Sequence, residues 1–95
     1  GVSGSIAEKM AHIMQEMGAL NRQVISITHL PQIAALGSTH YKVYKEDHAE
    51  GTSSHIVQLD EKGRVEEIAH MLSGTTLTDA AINNAKELLN QSYRK

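Results

Sequence analysis

One histidine, His29, occupies a position in the sequence where a side chain could act on a ligand. It directly follows the β-branched run Gln23–Thr28, and it precedes Pro31, which suits the first turn of a helix. In open α/β sheets, ligands bind beyond the carboxyl ends of the strands, where a helix N-terminus favours anions. An imidazole there can donate a hydrogen bond to a phosphate oxygen or orient a water. By position alone, an ordinary capping or loop histidine is the commoner case, so both roles stay open.

Other patterns that could carry chemistry are incomplete. Gly1–Ser5 departs from the GxSxG nucleophile motif, because Ser5 replaces the last glycine and no strand precedes it. A hydrolase using Ser3 and His29 is therefore a remote alternative. Glu67 and His70 have the spacing used in di-iron bundles, but no second such motif occurs. The sequence also contains no GxxxxGK[ST] loop, no Asp-Glu pair after an apolar strand and no GxGxxG.

We expect no metal site. His40, His48 and His55 surround an expected hairpin without the HxH or HExxH spacing of metal ligands, so scattered surface histidines are the simpler interpretation, although one or two could meet across the strands. The chain has no cysteine, which excludes thiolate sites and disulfides. Methionines at helical spacing near the start of the chain are expected to fill the core; they are Met10, Met14 and Met17.

Composition limits the chain to one domain with a thin core. It has 95 residues, 40% of them apolar, with three tyrosines but no phenylalanine or tryptophan. Nine basic residues against eleven acidic ones, evenly spread, give no electrostatic footprint for nucleic acid. No apolar run approaches the 18 residues of a membrane span. We expect the chain to be a piece of something larger, with its sheet continuing into strands that lie elsewhere.

Periodicity and turn residues predict an α/β arrangement in which a helix leads into a strand buried on both faces. That strand would end at Thr28, and its uncovered side should form an exposed apolar patch that a second copy of the chain covers. The expected elements are a helix from Ser5 to about Leu20, the buried strand Gln23–Thr28, a helix Pro31–Leu36 capped by Gly37, hairpin strands 40–45 and 54–59 around the loop Asp47–Thr52, a tight turn at Asp60–Gly63, a short helix ended by Ser73-Gly74, and a last helix capped by Thr78-Asp79.

Three segments in this order resemble one family. Residues 1–4 (GVSG) lead a helix, residues 23–32 (QVISITHLPQ) follow, and residues 67–74 (EIAHMLSG) come later. Together they resemble the C-terminal part of the ATPase head of the RecN family, an SMC-like branch of the ABC ATPases that acts in bacterial DNA repair. The most specific part is Ile27–Gln32. The resemblance implies an α/β fold: the C-terminal fragment of a P-loop (ABC/SMC-type) ATPase head, with a short sheet of a parallel buried strand and an edge hairpin, flanked by helices.

The resemblance also implies roles for individual residues. Residues 1–4 resemble the D-loop at the contact between two heads, and His29 resembles the switch histidine near the γ-phosphate and the attacking water. The implied catalytic residue is His29, and the implied cofactor-binding residues are Gly1, Val2, Ser3, Gly4, Thr28 and His29. ATP and Mg would belong to the full-length parent, with none bound to this piece, which lacks the phosphate loop and acidic pair and should be inactive alone.

The expected organisation is a single partial domain over residues 1–95, with the D-loop at 1–4, the switch-histidine segment at 23–32, the hairpin at 40–59 and C-terminal helices at 64–93. Implied partners are the rest of the same head, a second head across a shared ATP site, and DNA through the full-length protein, without a membrane. The implied location is the bacterial cytoplasm, at the nucleoid. Two residues depart from the family pattern, because His70 stands where Arg is expected and Ser73 where Gly is expected.

A rival interpretation from a different class is a non-enzymatic module that binds DNA or a protein. Such a module would use the hairpin and three basic residues, Lys42, Lys45 and Arg64. It predicts salt-sensitive DNA binding by the chain, because each lysine or arginine that contacts a phosphate releases a counterion.

Overall fold

The computed structural model describes residues 4–20, 23–74 and 76–93. Within these ranges the chain forms helices α1 (Gly4–Ala19), α2 (Pro31–Leu36), α3 (Glu61–Ser73) and α4 (Asp79–Tyr93), and strands β1 (Tyr41–His48) and β2 (Gly51–Gln58). The mixed helix–strand character and the antiparallel hairpin are as predicted. No helix in the described part of the chain is long and apolar enough to cross a membrane.

The core lies where α2, α3 and α4 meet. Ile68 is completely buried and is the largest side chain enclosed in this way. Around it, small side chains let the helix backbones approach closely. The buried cluster consists of Ala35, Ile68, Ala69, Ala81, Ala85 and Leu89. The thin core expected from the composition is therefore built mostly from alanine.

Helix α1 packs on α2 through small residues and leaves its large apolar side chains uncovered. Ala7 and Ala11, one helical turn apart, are buried. Ile13 is 58% exposed, and Met10 and Met17 are also exposed. The prediction that these methionines fill the core is therefore wrong for Met10 and Met17. Most of the large apolar side chains of α1 are therefore exposed in the described part of the chain.

Residues 23–28 do not form the predicted buried parallel strand. They carry no strand hydrogen bonding, Ile25 is 82% exposed and Ile27 is fully exposed. The reason is physical: a central strand exists only when its backbone N–H and C=O groups pair with neighbouring strands. The one sheet of the described residues is the hairpin of β1 and β2, and residues 23–28 do not pair with either strand.

The hairpin is longer and tighter than predicted. β1 and β2 pair from Tyr41 opposite Gln58 to His48 opposite Gly51, so only Ala49 and Glu50 remain in the turn. The predicted loop Asp47–Thr52 therefore contains two paired positions on each side. The extension is stabilised by the Thr52 hydroxyl, which donates to the Asp47 carboxylate at 3.0 Å. Gly51 has a φ of 135°, which favours glycine at this point.

Capping side chains define the two C-terminal helices. The predicted turn at Asp60–Gly63 is instead the first turn of α3, because the Asp60 carboxylate accepts a hydrogen bond from the Gly63 N–H at 2.7 Å. The predicted end at Ser73-Gly74 is confirmed, with Gly74 at a φ of 84°. The predicted cap of α4 is also confirmed, since the Thr78 hydroxyl accepts from the Ala81 N–H at 3.1 Å.

Candidate functional site

His29 lies on a turn that is held on both sides by local hydrogen bonds. Before it, the Thr28 hydroxyl accepts from the Leu30 N–H at 2.9 Å. After it, the Leu30 carbonyl accepts from the N–H groups of Ile33 at 3.1 Å and Ala34 at 3.0 Å, which begins α2. A threonine hydroxyl that bonds the backbone two residues on stabilises a turn. Thr28 therefore helps to fix the backbone that carries His29.

The His29 side chain is exposed. No group of the described residues forms a hydrogen bond with its ring, in contrast to the hydroxyl of Thr28 beside it. A neutral imidazole has one donor and one acceptor nitrogen, so it can hold a water or a phosphate oxygen. The turn thus presents an exposed imidazole, which can bind a water or a phosphate oxygen, on a backbone held by local hydrogen bonds.

The structure places only some of the residues that sequence analysis assigns to the ATP site. Thr28 and His29 occupy the turn before α2, and Gly4 is the first residue of α1. Gly1, Val2 and Ser3 lie outside the described residues. Helices α1 and α2 pack together, so the element that follows Gly4 contacts the element that follows His29.

The C-terminus of α2 is held by a residue whose role the sequence analysis missed. Arg64 on α3 is only 4% exposed. Its Nη2 donates to the carbonyl oxygens of Ala34 at 3.1 Å, Ala35 at 3.3 Å and Gly37 at 2.7 Å. These are the unpaired carbonyls at the negative end of the helix dipole, so a guanidinium stabilises them by hydrogen bonds and by charge.

This arrangement bears on two predictions. Gly37 is the C-cap residue of α2, as predicted, but its φ of −61° is not left-handed, and Arg64 satisfies the carbonyls at the helix end. Arg64 is also buried, so it cannot be one of the basic residues of a DNA-binding face. Lys42, the second of those three residues, forms an ion pair with Glu67 at 3.0 Å. Lys45 lies exposed on β1.

His40 lies at the junction between the hairpin and the helices. Its carbonyl accepts from the Leu59 N–H at 2.8 Å, and its Nδ1 is buried with no hydrogen-bond partner among the described residues. Burial lowers the pKa of His40 from its ordinary value of 6.5, the Arg64 charge lowers it further, and Glu67 acts in the opposite direction. His40 is therefore a half-buried histidine that favours its neutral form.

The two departures from the family pattern have visible surroundings. The Ser73 hydroxyl lies 2.9 Å from the carbonyl oxygen of Ala69 and 2.6 Å from that of Thr76, so it bonds α3 to the segment that follows it. His70 has an exposed side chain, and its carbonyl accepts from the Gly74 N–H at 2.8 Å. Ser73 thus supplies a local tether that glycine could not.

Two of the three hairpin histidines are closer together than the sequence analysis expected. His48 and His55 approach each other across the strands, and Glu46 joins them. The interpretation as scattered surface histidines therefore does not describe this pair. The sequence alone could have shown it only with the strand register known, because the pairing of Glu46 with Ser53 brings the three side chains to one place.

Comparison with known proteins supplies the family. No family model matches the chain. DNA repair protein RecN of Bacillus subtilis is 38% identical to it over 92 residues, which is 97% of the chain. RecN of Vibrio cholerae is 36% identical, and RecN of Deinococcus radiodurans 45% identical, each over 89 residues and 94% of the chain. The chain belongs to the RecN family. It spans about 16% of the length of the curated relatives it matches, and 15% in the Deinococcus protein.

Membership of the RecN family confirms the resemblance drawn from the three sequence segments. The matched region runs over nearly the whole chain, so the His29 turn, the hairpin and the C-terminal helices all belong to this RecN-family segment. The relatives are DNA repair proteins by name.

Proposed function

We propose that this chain is the C-terminal part of an SMC-like ATPase head that binds and hydrolyses ATP during recombinational repair of DNA double-strand breaks. The observation that carries the proposal is the His29 turn: an exposed imidazole on a fixed backbone, directly after an unpaired apolar segment, in a RecN-family chain. In this proposal Thr28 and His29 belong to the nucleotide site, together with residues 1–4 as the contact to a second head.

The exposed imidazole fits a nucleotide site, because phosphoryl transfer depends mainly on positioning and on stabilising charge. In this role the His29 ring donates a hydrogen bond to a terminal phosphate oxygen or orients the attacking water. Thr28 acts as a positioning residue, because its hydroxyl accepts a hydrogen bond from the Leu30 N–H and so stabilises the turn that carries His29. Bound magnesium would neutralise phosphate charge, and the rest of the head would supply its ligands.

The uncovered apolar residues support the same proposal. Val24, Ile25 and Ile27 do not alternate strictly with polar residues. Such a pattern is typical of a strand that is buried on both faces, yet all three side chains are exposed. Full burial of an isoleucine side chain contributes about 1.5–3 kcal/mol. We infer that strands in the rest of the head pair with residues 23–28 and turn this segment into the buried parallel strand of a P-loop fold.

The experiment is ATP turnover by a full-length RecN protein that carries this segment, with His29 replaced by alanine. Loss of one preorganised hydrogen-bond donor that stabilises transition-state charge lowers kcat by about 10²–10³-fold in other active sites, and we expect a similar loss here. The control is Lys86→Ala, which makes the same truncation at an exposed residue of α4. Equal turnover by the His29→Ala variant and the wild type would remove His29 from the site.

The rival function, a DNA-binding module based on the hairpin, loses support from the structure. Arg64 is buried against the end of α2, and Lys42 is paired with Glu67. The Glu67 carboxylate beside Lys42 offsets the charge that this lysine would present to a DNA phosphate. We therefore assign DNA contact to other parts of the full-length protein.

A further inference from the structure

The outer end of the hairpin brings polar side chains from both strands to one face. Side chains alternate between the two faces of a strand, so Glu46 and His48 share a face of β1. On β2, Ser53 lies opposite Glu46, and His55 lies two positions further along the same face. The register therefore places two imidazoles, a carboxylate and a hydroxyl together.

The functional atoms of these four side chains converge on a small volume. Nε2 of His48 lies 3.5 Å from Oε2 of Glu46, and Nε2 of His55 lies 3.4 Å from the same oxygen. The Ser53 hydroxyl lies 2.8 Å from Nε2 of His48 and 3.2 Å from Nε2 of His55. The ligand atoms of Glu46, His48 and His55 all lie within 4.8 Å of one another.

These separations suit a tetrahedral metal ion. Zinc bonds to nitrogen and oxygen are about 2.0–2.2 Å long, so neighbouring ligand atoms around a tetrahedral ion lie about 3.3–3.5 Å apart. The two distances from imidazole nitrogen to carboxylate oxygen already have this value. The Tyr44 ring stacks on the His55 ring, with centroids 5.1 Å apart, and so restricts the orientation of one ligand.

We propose that Glu46, His48 and His55 form a binding site for a divalent transition-metal ion of the zinc type. Two imidazoles and one carboxylate are a donor set that zinc accepts and that magnesium, which prefers oxygen, does not. Water completes the fourth position, because the three side chains are about half exposed. The Ser53 hydroxyl is not a ligand and rotates to bond the water.

The site would join the two strands next to their turn. A two-stranded hairpin is only marginally stable by itself, and this one is linked to α3 by the Lys42–Glu67 ion pair near its base. A metal ion bound by residues of both strands favours the paired state, because ligands brought together by folding convert binding energy into stability. Zinc would therefore order the end of the hairpin farthest from the helices.

The test is a titration of the chain with zinc chloride, followed by calorimetry and by the imidazole NMR signals of His48 and His55. The expected result is one ion per chain, with both histidine signals shifting together. His48→Ala and His55→Ala each weaken binding by about tenfold or more, since loss even of a residue that only orients a ligand costs 10–100-fold. Magnesium chloride leaves the signals unchanged.

Two control variants keep the result interpretable. Ser53→Ala removes the hydroxyl between the imidazoles but no ligand, so zinc binding should persist. His70→Ala removes a histidine that has the di-iron spacing from Glu67 and should have no effect. The proposal is overturned if zinc fails to bind the wild-type chain, if binding survives in the His48→Ala/His55→Ala double variant, or if His70→Ala weakens it equally.

Discussion

The α2–α4 core, on the one hand, and α1 and residues 23–28, on the other, use apolar side chains in opposite ways. In the core, Ile68 is fully buried and small alanines let three helices meet. In α1 and residues 23–28, Ile13, Ile25 and Ile27 are all more than half exposed. Both regions have apolar patterns that predict burial. One region therefore buries its apolar side chains within the described residues, while the other leaves them exposed, and in the proposed head the rest of the protein covers the second region.

The largest expected effect separates the two regions directly. Ile68→Ala should lower the free energy of unfolding by about 2–5 kcal/mol, because it leaves a cavity among packed helices. Ile27→Ala should change it little, because the Ile27 side chain is fully exposed. Urea unfolding of the 95-residue chain, followed by circular dichroism, measures both. Similar losses for the two variants would contradict the division into a buried and an exposed apolar region.

A smaller loss of stability is expected from Arg64, which connects α3 to the end of α2, the helix that follows the His29 turn. Arg64→Ala should destabilise the chain by about 1–3 kcal/mol, because the carbonyls at the end of α2 lose a buried donor. The same unfolding experiment measures it, with Lys86→Ala on the exposed face of α4 as the control. If Arg64→Ala and Lys86→Ala unfold at the same urea concentration, the guanidinium does not hold α2.

The smallest expected effect marks the boundary between the core and the hairpin. The pKa of His40 is lowered in the folded chain, so between that pKa and 6.5 the unfolded state binds more protons. Stability should therefore fall as pH decreases below about 6.5, and the loss is complete below the folded pKa. The His40→Gln variant has no titrating group at this position, so its free energy of unfolding should fall less as the pH is lowered below about 6.5. Parallel curves of unfolding free energy against pH for the two proteins would show that His40 does not contribute.

Much of the fold follows from local patterns. The apolar period, Pro31 and Thr78 predict α1, α2 and α4 closely, and the two runs 40–45 and 54–59 around a polar loop predict the hairpin but not its full length. The start of α3 was missed because Asp60-Glu61-Lys62-Gly63 suits a turn as well as a capped helix. Local sequence gives no way to choose between them, since the choice depends on how α3 packs.

The other missed features depend on contacts between residues that are not neighbours in the sequence. Arg64 bonds carbonyls 27–30 residues away, and a charged residue on a short helix is usually exposed. The cluster of His48 and His55 depends on the strand register. Residues 23–28 have the composition of a buried strand, but a strand also needs a paired neighbour, and among the described residues no strand pairs with them. The His29 turn was found because proline and a preceding β-branched run mark it locally.

The most direct test of the proposed function is steady-state ATP hydrolysis by the full-length RecN protein with and without His29→Ala. The account predicts that kcat falls by about 10²–10³-fold while the KM for ATP changes little, because the imidazole acts on the reacting phosphate more than on nucleotide binding. An unchanged kcat, or a loss confined to KM, would contradict the assignment of His29 to the reacting phosphate.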